Sequence, residues 1–200
     1  MLIILEGLPG TGKTTLAKKL VKKFRGILIP QIILSSQNIY QKFLPMEKEK
    51  FFIRNDLKKY KKASQGLKKK KWVIMDRGIF STLAYNYAFT RLEEINTYKM
   101  VRDWYEKNKK IFSLPQIIIF LEIPLITSLK RKNRLTLKMR RKKLLWANPY
   151  FLKEMKAFYH KFLTRIKDKN IRILKINAKK PLKKVFNEIC LKIEKLQEQL

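Results

Sequence analysis

"LIILEGLPGTGKTT", Leu2 to Thr15, decides how this chain reads. Leu2 to Leu5 is a short run of apolar residues without polar alternation, as expected of a strand covered on both faces. Gly7, Gly10 and Gly12 follow in quick succession, and then Leu16, Ala17, Leu20, Val21 and Phe24 recur at helical spacing. A buried strand that passes through a glycine-rich turn into a helix gathers free backbone N–H groups at the positive end of that helix, which suits an anion.

The turn fits a specific pattern, G-x(4)-G-K-[ST], with Gly7, Gly12, Lys13 and Thr14 at the fixed positions. This is the P-loop, and each part has a physical task. Glycines let successive N–H groups turn inward around phosphate oxygens, Lys13 reaches the β and γ phosphates, and the Thr14 hydroxyl is a ligand for Mg²⁺. Gly7, Leu8, Pro9, Gly10, Thr11, Gly12, Lys13, Thr14 and Thr15 are therefore candidates for binding a nucleoside triphosphate, and ATP with Mg²⁺ is the expected pair.

Outward from the loop, strands and helices alternate. Gly26–Pro30, Trp72–Asp76, Gln116–Glu122 and Ile171–Ile176 resemble the first strand in length and apolarity. Helical spacing is read from Lys48 to about Lys62, over Ile79–Phe89, from Arg91 to about Lys109, after Asn148, and over Leu182–Leu196, where Pro181 sits at the start. The alternation predicts an α/β domain of three layers, α/β/α, around a five-stranded parallel sheet, with the ligand crevice beyond the carboxyl ends of the strands.

Composition limits the alternatives. Two hundred residues, 46% of them hydrophobic, suit one domain with a substantial core, 1–200. Cys190 is the only cysteine and His160 the only histidine, so an intrachain disulfide or a Cys/His zinc cluster is excluded, and both residues read as structural. The short apolar start has no basic leader, and no apolar run approaches membrane-spanning length, so a cytoplasmic protein without a membrane partner is expected. The net charge of +33 attracts polyanions and small phosphorylated molecules alike. No acidic residue lies between Ile123 and Lys153, and Arg131, Arg134, Arg140 and Arg141 fall in that segment. It is the strongest candidate for a basic lid, about 131–147, that closes over a transferred phosphate.

The stretch "DRGIFSTLAYNYA", Asp76 to Ala88, resembles the DR[YHW]-x-x-S-x-x-A-Y-Q segment of thymidylate kinases, with Asn86 in place of the glutamine. Further on, "PQIIIFLEIPLITSLKR" is similar to that family's P-D-x-x-x-x-L-D-V-P-x-x-x-A-L-x-R unit, with Glu122 at the aspartate and Arg131 at the arginine. "FLKEMKAFYHKFL" and "ILKINAKKPLKKVFNEI" resemble its last helices and closing strand. The resemblance implies an ATP-dependent kinase that phosphorylates a small-molecule nucleotide, and a homodimer. By the same resemblance Asp76 would contact Mg²⁺, Arg77 would bridge the donor and acceptor phosphates, Arg140 would act from the lid, and Arg54, Asn55 and Tyr85 would face the acceptor.

The chain also departs from the family. Pro9 stands where an acid is usual in the loop, "PQIILSS" replaces R-E-P-G-G, and Asp56 is followed by Leu57 rather than arginine. Thymidine monophosphate is therefore not implied as the acceptor. Related deoxynucleoside kinases place a glutamate after the second strand to take a hydroxyl proton; Gln31 here cannot, which favours an acceptor that is already anionic. A deoxynucleoside kinase, with Asp76 as its base, remains an alternative. So does a nucleic-acid-associated ATPase or polynucleotide kinase, which the charge motivates.

Overall fold

Leu2–Gly7 forms β1, which lies at the middle of the sheet. The structure, a computed structural model, describes residues 1–32, 45–69, 71–112, 115–138, 145, 148–166 and 170–198; the side chains of 45 and 132–138 are outside that description. After β1 come α1 (Lys13–Phe24), β2 (Ile27–Ile29), α2 (Pro45–Lys68), β3 (Val73–Asp76), α3 (Ile79–Glu93), α4 (Thr97–Lys107) and α5 (Lys109–Phe112). Then follow β4 (Ile117–Glu122), α6 (Leu125–Lys138), α7 (Pro149–Leu163), β5 (Arg172–Asn177) and α8 (Leu182–Gln197). The five strands pair in parallel, as the alternation predicts, and their order is β2-β3-β1-β4-β5.

Side-chain alternation sorts the helices into two layers. Leu2, Ile4, Val73, Met75, Ile118 and Phe120 share one face with buried residues of α2, α3 and α7. Ile3, Leu5, Ile74, Ile117, Ile119 and Leu121 share the other with Leu16 and Leu20 of α1 and Val185, Ile189 and Ile193 of α8. Both faces of the inner strands are dry, which is why their sequences are almost continuously apolar. Glu6 continues the Leu2, Ile4 face and is therefore buried with it.

Two sequence expectations need correction. The helix read over Arg91 to about Lys109 is two helices and a short third. Arg91 belongs to α3, which stops where Glu94 turns left-handed (φ 57), and Asn96 caps α4 by accepting from the Lys99 N–H. The last strand is not covered on both faces: β5 lies at the sheet edge, where Arg172, Lys175 and Asn177 are exposed. The segment expected as a lid from about residue 131 begins inside α6, whose backbone is helical through Lys138. Arg140 and Arg141 are outside the described residues, as is the side chain of Arg134. No helix among the described residues is long and apolar enough to cross a membrane.

Candidate active site

Register brings the loop and the Asp-Arg pair together. Leu5 of β1 pairs with Asp76 of β3, so the two strands end side by side, and the first turn of α1 faces the end of β3. The Thr14 hydroxyl donates to Asp76 Oδ2 at 2.6 Å across 62 positions of sequence. Asp76 Oδ1 is buried and has no hydrogen-bond partner. An orphaned carboxylate oxygen beside a P-loop hydroxyl suits a hard cation that takes few protein oxygens and keeps the rest of its shell as water, as Mg²⁺ does. Thr14 and Asp76 are the residues that would hold it. No group of three or more His, Cys, Asp or Glu among the described residues offers an all-protein metal cage.

The loop itself is held in shape from several sides. Gly7 (φ 137), Gly10 (φ 80) and Gly12 (φ 90) have the positive φ that side chains disfavour. A Cβ on Gly7 would lie 2.4 Å from the Leu121 carbonyl oxygen of β4. Lys13, buried, donates from Nζ to the Gly7 and Leu8 carbonyls at 2.8 and 2.7 Å and to Thr11 Oγ1 at 2.9 Å, which places its ammonium inside the curve of the loop. From α6, Ser128 Oγ donates to the Pro9 carbonyl at 2.6 Å, and the Arg131 guanidinium donates to the Gly10 carbonyl at 3.1 Å and the Ala178 carbonyl at 3.2 Å. With the Pro9 and Gly10 carbonyls held from α6, the peptide orientations of the loop are set. Arg131, expected in the lid, is thus a brace of the loop. Ser128, three residues before it on the same helix face, was not singled out by the sequence. Beside them Thr11, Gly12, Arg131, Ala178, Lys180, Leu182 and Val185 line a cavity of about 200 Å³.

Arg77 has its backbone in the left-handed region (φ 63), and Nη1 donates to the Gly7 carbonyl at 3.1 Å and to Ser81 Oγ at 2.9 Å. Its guanidinium therefore sits at the loop. Under it, Glu6 accepts from the Gly78 N–H at 2.8 Å, the Ser81 hydroxyl at 2.5 Å and the Tyr159 hydroxyl at 3.0 Å. Burial pushes the Glu6 carboxyl above the usual range, opposed by the Ser81 hydrogen bond and the charge of Arg77. This network fixes the start of α3 against β1 and α7. Nothing in the residues next to Glu6 along the chain announces this task, because its three donors come from the start of α3 and from α7.

The residues expected at the acceptor divide. Asn55 is buried on α2 and donates from Nδ2 to the Gln31 carbonyl at 3.1 Å, at the end of β2. Arg54, its neighbour, is exposed. Tyr85 packs against Phe151 of α7, with ring centroids 5.0 Å apart, and stacks on Phe89. A buried polar seam between α2 and α3 was missed. Asp56 accepts from the Thr82 hydroxyl at 2.6 Å and pairs with Lys59 Nζ at 3.6 Å, while Glu49 accepts from Asn86 Nδ2 at 2.5 Å. Burial raises the Asp56 carboxyl and pushes Glu49 up to about 7, and it lowers Lys59. The i, i+3 spacing of Asp56 and Lys59 was visible; only tertiary packing shows that the pair is dry.

Comparison with known proteins gives the family. A model of the family described as "Thymidylate kinase" matches residues 5–189. A probable thymidylate kinase from Metallosphaera sedula is 30% identical over 148 residues, 65% of this chain and 64% of that protein. One from Pyrococcus abyssi is 27% identical over 148 residues, 64% of this chain and 68% of that protein. The matched stretch thus spans less than two thirds of the Metallosphaera protein. Among solved structures, a deoxyadenosine kinase from M. mycoides with bound dATP aligns with a TM-score of 0.73 at 19% identity, over 97% of this chain and all of that one. A thymidylate kinase from Candida albicans aligns with a TM-score of 0.68 at 18% identity, over 98% and 92% of the two chains. At such identities the structures establish the fold, and the family follows from the match over residues 5–189: this chain belongs to the thymidylate kinase family.

Proposed function

We propose that the chain is an ATP-dependent phosphotransferase that moves the γ-phosphate of ATP to a nucleoside or deoxynucleoside monophosphate, releasing ADP and the corresponding diphosphate. The observation that carries the reading is the junction of the P-loop with the end of β3. Thr14 bonds to Asp76 at 2.6 Å, Asp76 Oδ1 has no partner, and the Arg77 guanidinium lies on the Gly7 carbonyl. These are the parts that phosphoryl transfer needs, which is positioning and charge neutralisation more than covalent chemistry.

In this reading the N–H groups of residues 8 to 14 and the start of α1 receive the triphosphate, and Lys13 turns from the loop carbonyls to the β and γ oxygens. Bound Mg²⁺, held through Thr14 and Asp76, would supply charge neutralisation on the phosphate oxygens. Arg77 leaves Gly7 and Ser81 to bridge donor and acceptor phosphates. The acceptor oxygen, already anionic, attacks the γ-phosphorus as the bond to the ADP oxygen breaks, and no proton has to be removed. The carboxylates support this choice of acceptor. Glu6 is committed to Gly78, Ser81 and Tyr159, Asp76 bonds Thr14 through one oxygen and would hold the cation through the other, and the residue two positions past the end of β2 is Gln31, an amide. Arg140 contributes from the lid in this proposal, and the cavity beside Thr11, Arg131 and Leu182 receives the adenosine end of ATP.

The test is ADP release from ATP and Mg²⁺ with each nucleoside and deoxynucleoside monophosphate in turn, with every bare nucleoside and with single-stranded DNA and RNA as separate arms. Turnover with a monophosphate supports the reading. Turnover with bare nucleosides alone makes the chain a nucleoside kinase; stimulation by nucleic acid alone makes it a nucleic-acid-linked ATPase; no ADP release with any acceptor sinks the proposal.

A further inference from the structure

Lys59 is a buried cation that nothing so far described requires. It lies on α2 at 1% exposure, beside Asp56 at 2%. Its ammonium donates to the Asp76 carbonyl at 3.4 Å and to the Arg77 carbonyl, and pairs with the Asp56 carboxylate at 3.6 Å. Apolar side chains of similar volume would fill the space between α2 and β3 without the desolvation of two charges. The charge therefore has a use beyond filling space, and the two carbonyls identify it.

Those carbonyls belong to the pair at the site. β3 ends at Asp76, and Arg77 leaves it with φ 63, a conformation that non-glycine residues rarely adopt unless their surroundings impose it. The Arg77 N–H donates to the Leu5 carbonyl at 3.1 Å, continuing the pairing with β1. Its own carbonyl turns off the sheet towards α2 and meets Lys59. With both backbone groups fixed, the side chain is sent back over the loop to Gly7 and Ser81. An extended or right-handed Arg77 would start its side chain in another direction.

We infer that Lys59 is a positioning residue for phosphoryl transfer: by holding the carbonyls of Asp76 and Arg77 it keeps Arg77 left-handed, aims its guanidinium at the phosphate loop, and sets the Asp76 carboxylate on Thr14. The inference rests on the phosphotransferase reading for its kinetic consequence and on geometry alone for its structural one. Asp56 is the counter-charge that lets the ammonium be buried, and Thr82 in turn holds Asp56.

Two variants separate positioning from stability. Lys59→Met strands Asp56 as an unpaired buried acid and lowers the melting temperature. Asp56→Leu with Lys59→Met removes both charges and restores it, because an apolar pair tolerates burial. The two carbonyls lose their donor in both. The double variant, folded and binding ATP in calorimetry within about threefold of wild type, is expected to have a kcat about 100-fold lower with the monophosphate the wild type uses, the scale of a misplacement near 1 Å. In its crystal structure Arg77 leaves the left-handed region. A double variant with kcat within about threefold of wild type overturns the kinetic role while phosphotransfer by the wild type stands. If the wild type phosphorylates no acceptor, the functional reading falls and the crystal structure decides the geometry: Arg77 still left-handed on Gly7 overturns the inference, and Arg77 displaced upholds it.

Discussion

Replacing Gly7 by alanine tests whether the end of β1 is as tightly built as the geometry demands. Two costs apply there. The backbone has φ 137, where an L side chain is strained by about 1–3 kcal/mol. The new Cβ would also lie 2.4 Å from the Leu121 carbonyl oxygen, a backbone atom of the paired central strand β4 that cannot rotate away. Relief requires the strands to part by roughly 1 Å, and such overpacking costs a further ~1–3 kcal/mol. Gly12→Ala is the internal control. It has φ 90 and bears the strain, but its Cβ would meet only Leu182 Cδ1 at 3.5 Å, an ordinary contact. In a domain of this size about 1 kcal/mol shifts the melting temperature by roughly 2–4 °C. At the middle of these ranges, about 2 kcal/mol for each cost and about 3 °C per kcal/mol, Gly12→Ala should melt about 6 °C below wild type and Gly7→Ala about 12 °C below it. Differential scanning calorimetry of the three proteins measures both shifts, and ATP titration of the folded variants shows whether the cradle survives. Gly7→Ala melting within about 3 °C of Gly12→Ala would refute the clash and, with it, the close approach of β4 to the start of the loop.

Other predictions address the site and its surroundings. Asp76→Asn keeps an acceptor for Thr14 but loses the charge beside the phosphates; turnover should fall by at least about 100-fold in a Mg²⁺ titration with little change in melting temperature, and full activity would return Asp76 to a structural role. Arg131→Met removes a charged donor from the Gly10 and Ala178 carbonyls, a bond worth ~1.5–3 kcal/mol, so ATP affinity measured by calorimetry without acceptor should weaken about tenfold or more; unchanged affinity would dissociate α6 from the shape of the loop. Glu49 has its pKa raised from 4.5 to about 7, so the folded state holds its proton across that interval while the unfolded state releases it, and stability falls as pH rises from 4.5 to 7. The loss is on the order of 3 kcal/mol at about 1.4 kcal/mol per pH unit. Glu49→Gln should flatten that part of a denaturation-versus-pH curve relative to wild type, and parallel curves would show that Glu49 is ionised in the fold.

Legibility in the sequence followed distance along the chain. The glycine-rich loop was readable because Gly7, Gly12, Lys13 and Thr14 lie in one contiguous turn. The strands were readable because β1, β3 and β4 are dry on both faces. β5 was read too generously because a short apolar run does not reveal that its place is the edge of the sheet. The break after Glu93 was missed for a local reason: Asn96 is a good cap, but the apolar spacing continues through it into α4. The bonds of Arg131 and Ser128 to the loop were not legible, because residues one helical turn apart on α6 meet carbonyls about 120 positions away in sequence.

The sequence alone determined the layered parallel sheet and the phosphate loop, since period, apolarity and glycine spacing are properties of neighbouring residues. It also brought forward Asp76 and Arg77 by resemblance. Tertiary structure decided what those two do with the rest of the chain. Only the pairing of Leu5 with Asp76 sets the carboxylate 2.6 Å from Thr14, and only the packing of α2 on β3 buries Lys59 beneath the two carbonyls. The physical reason is that a charge is costly or useful according to its burial and its partners, and both are set by strand order and helix layer, which no local window of residues contains.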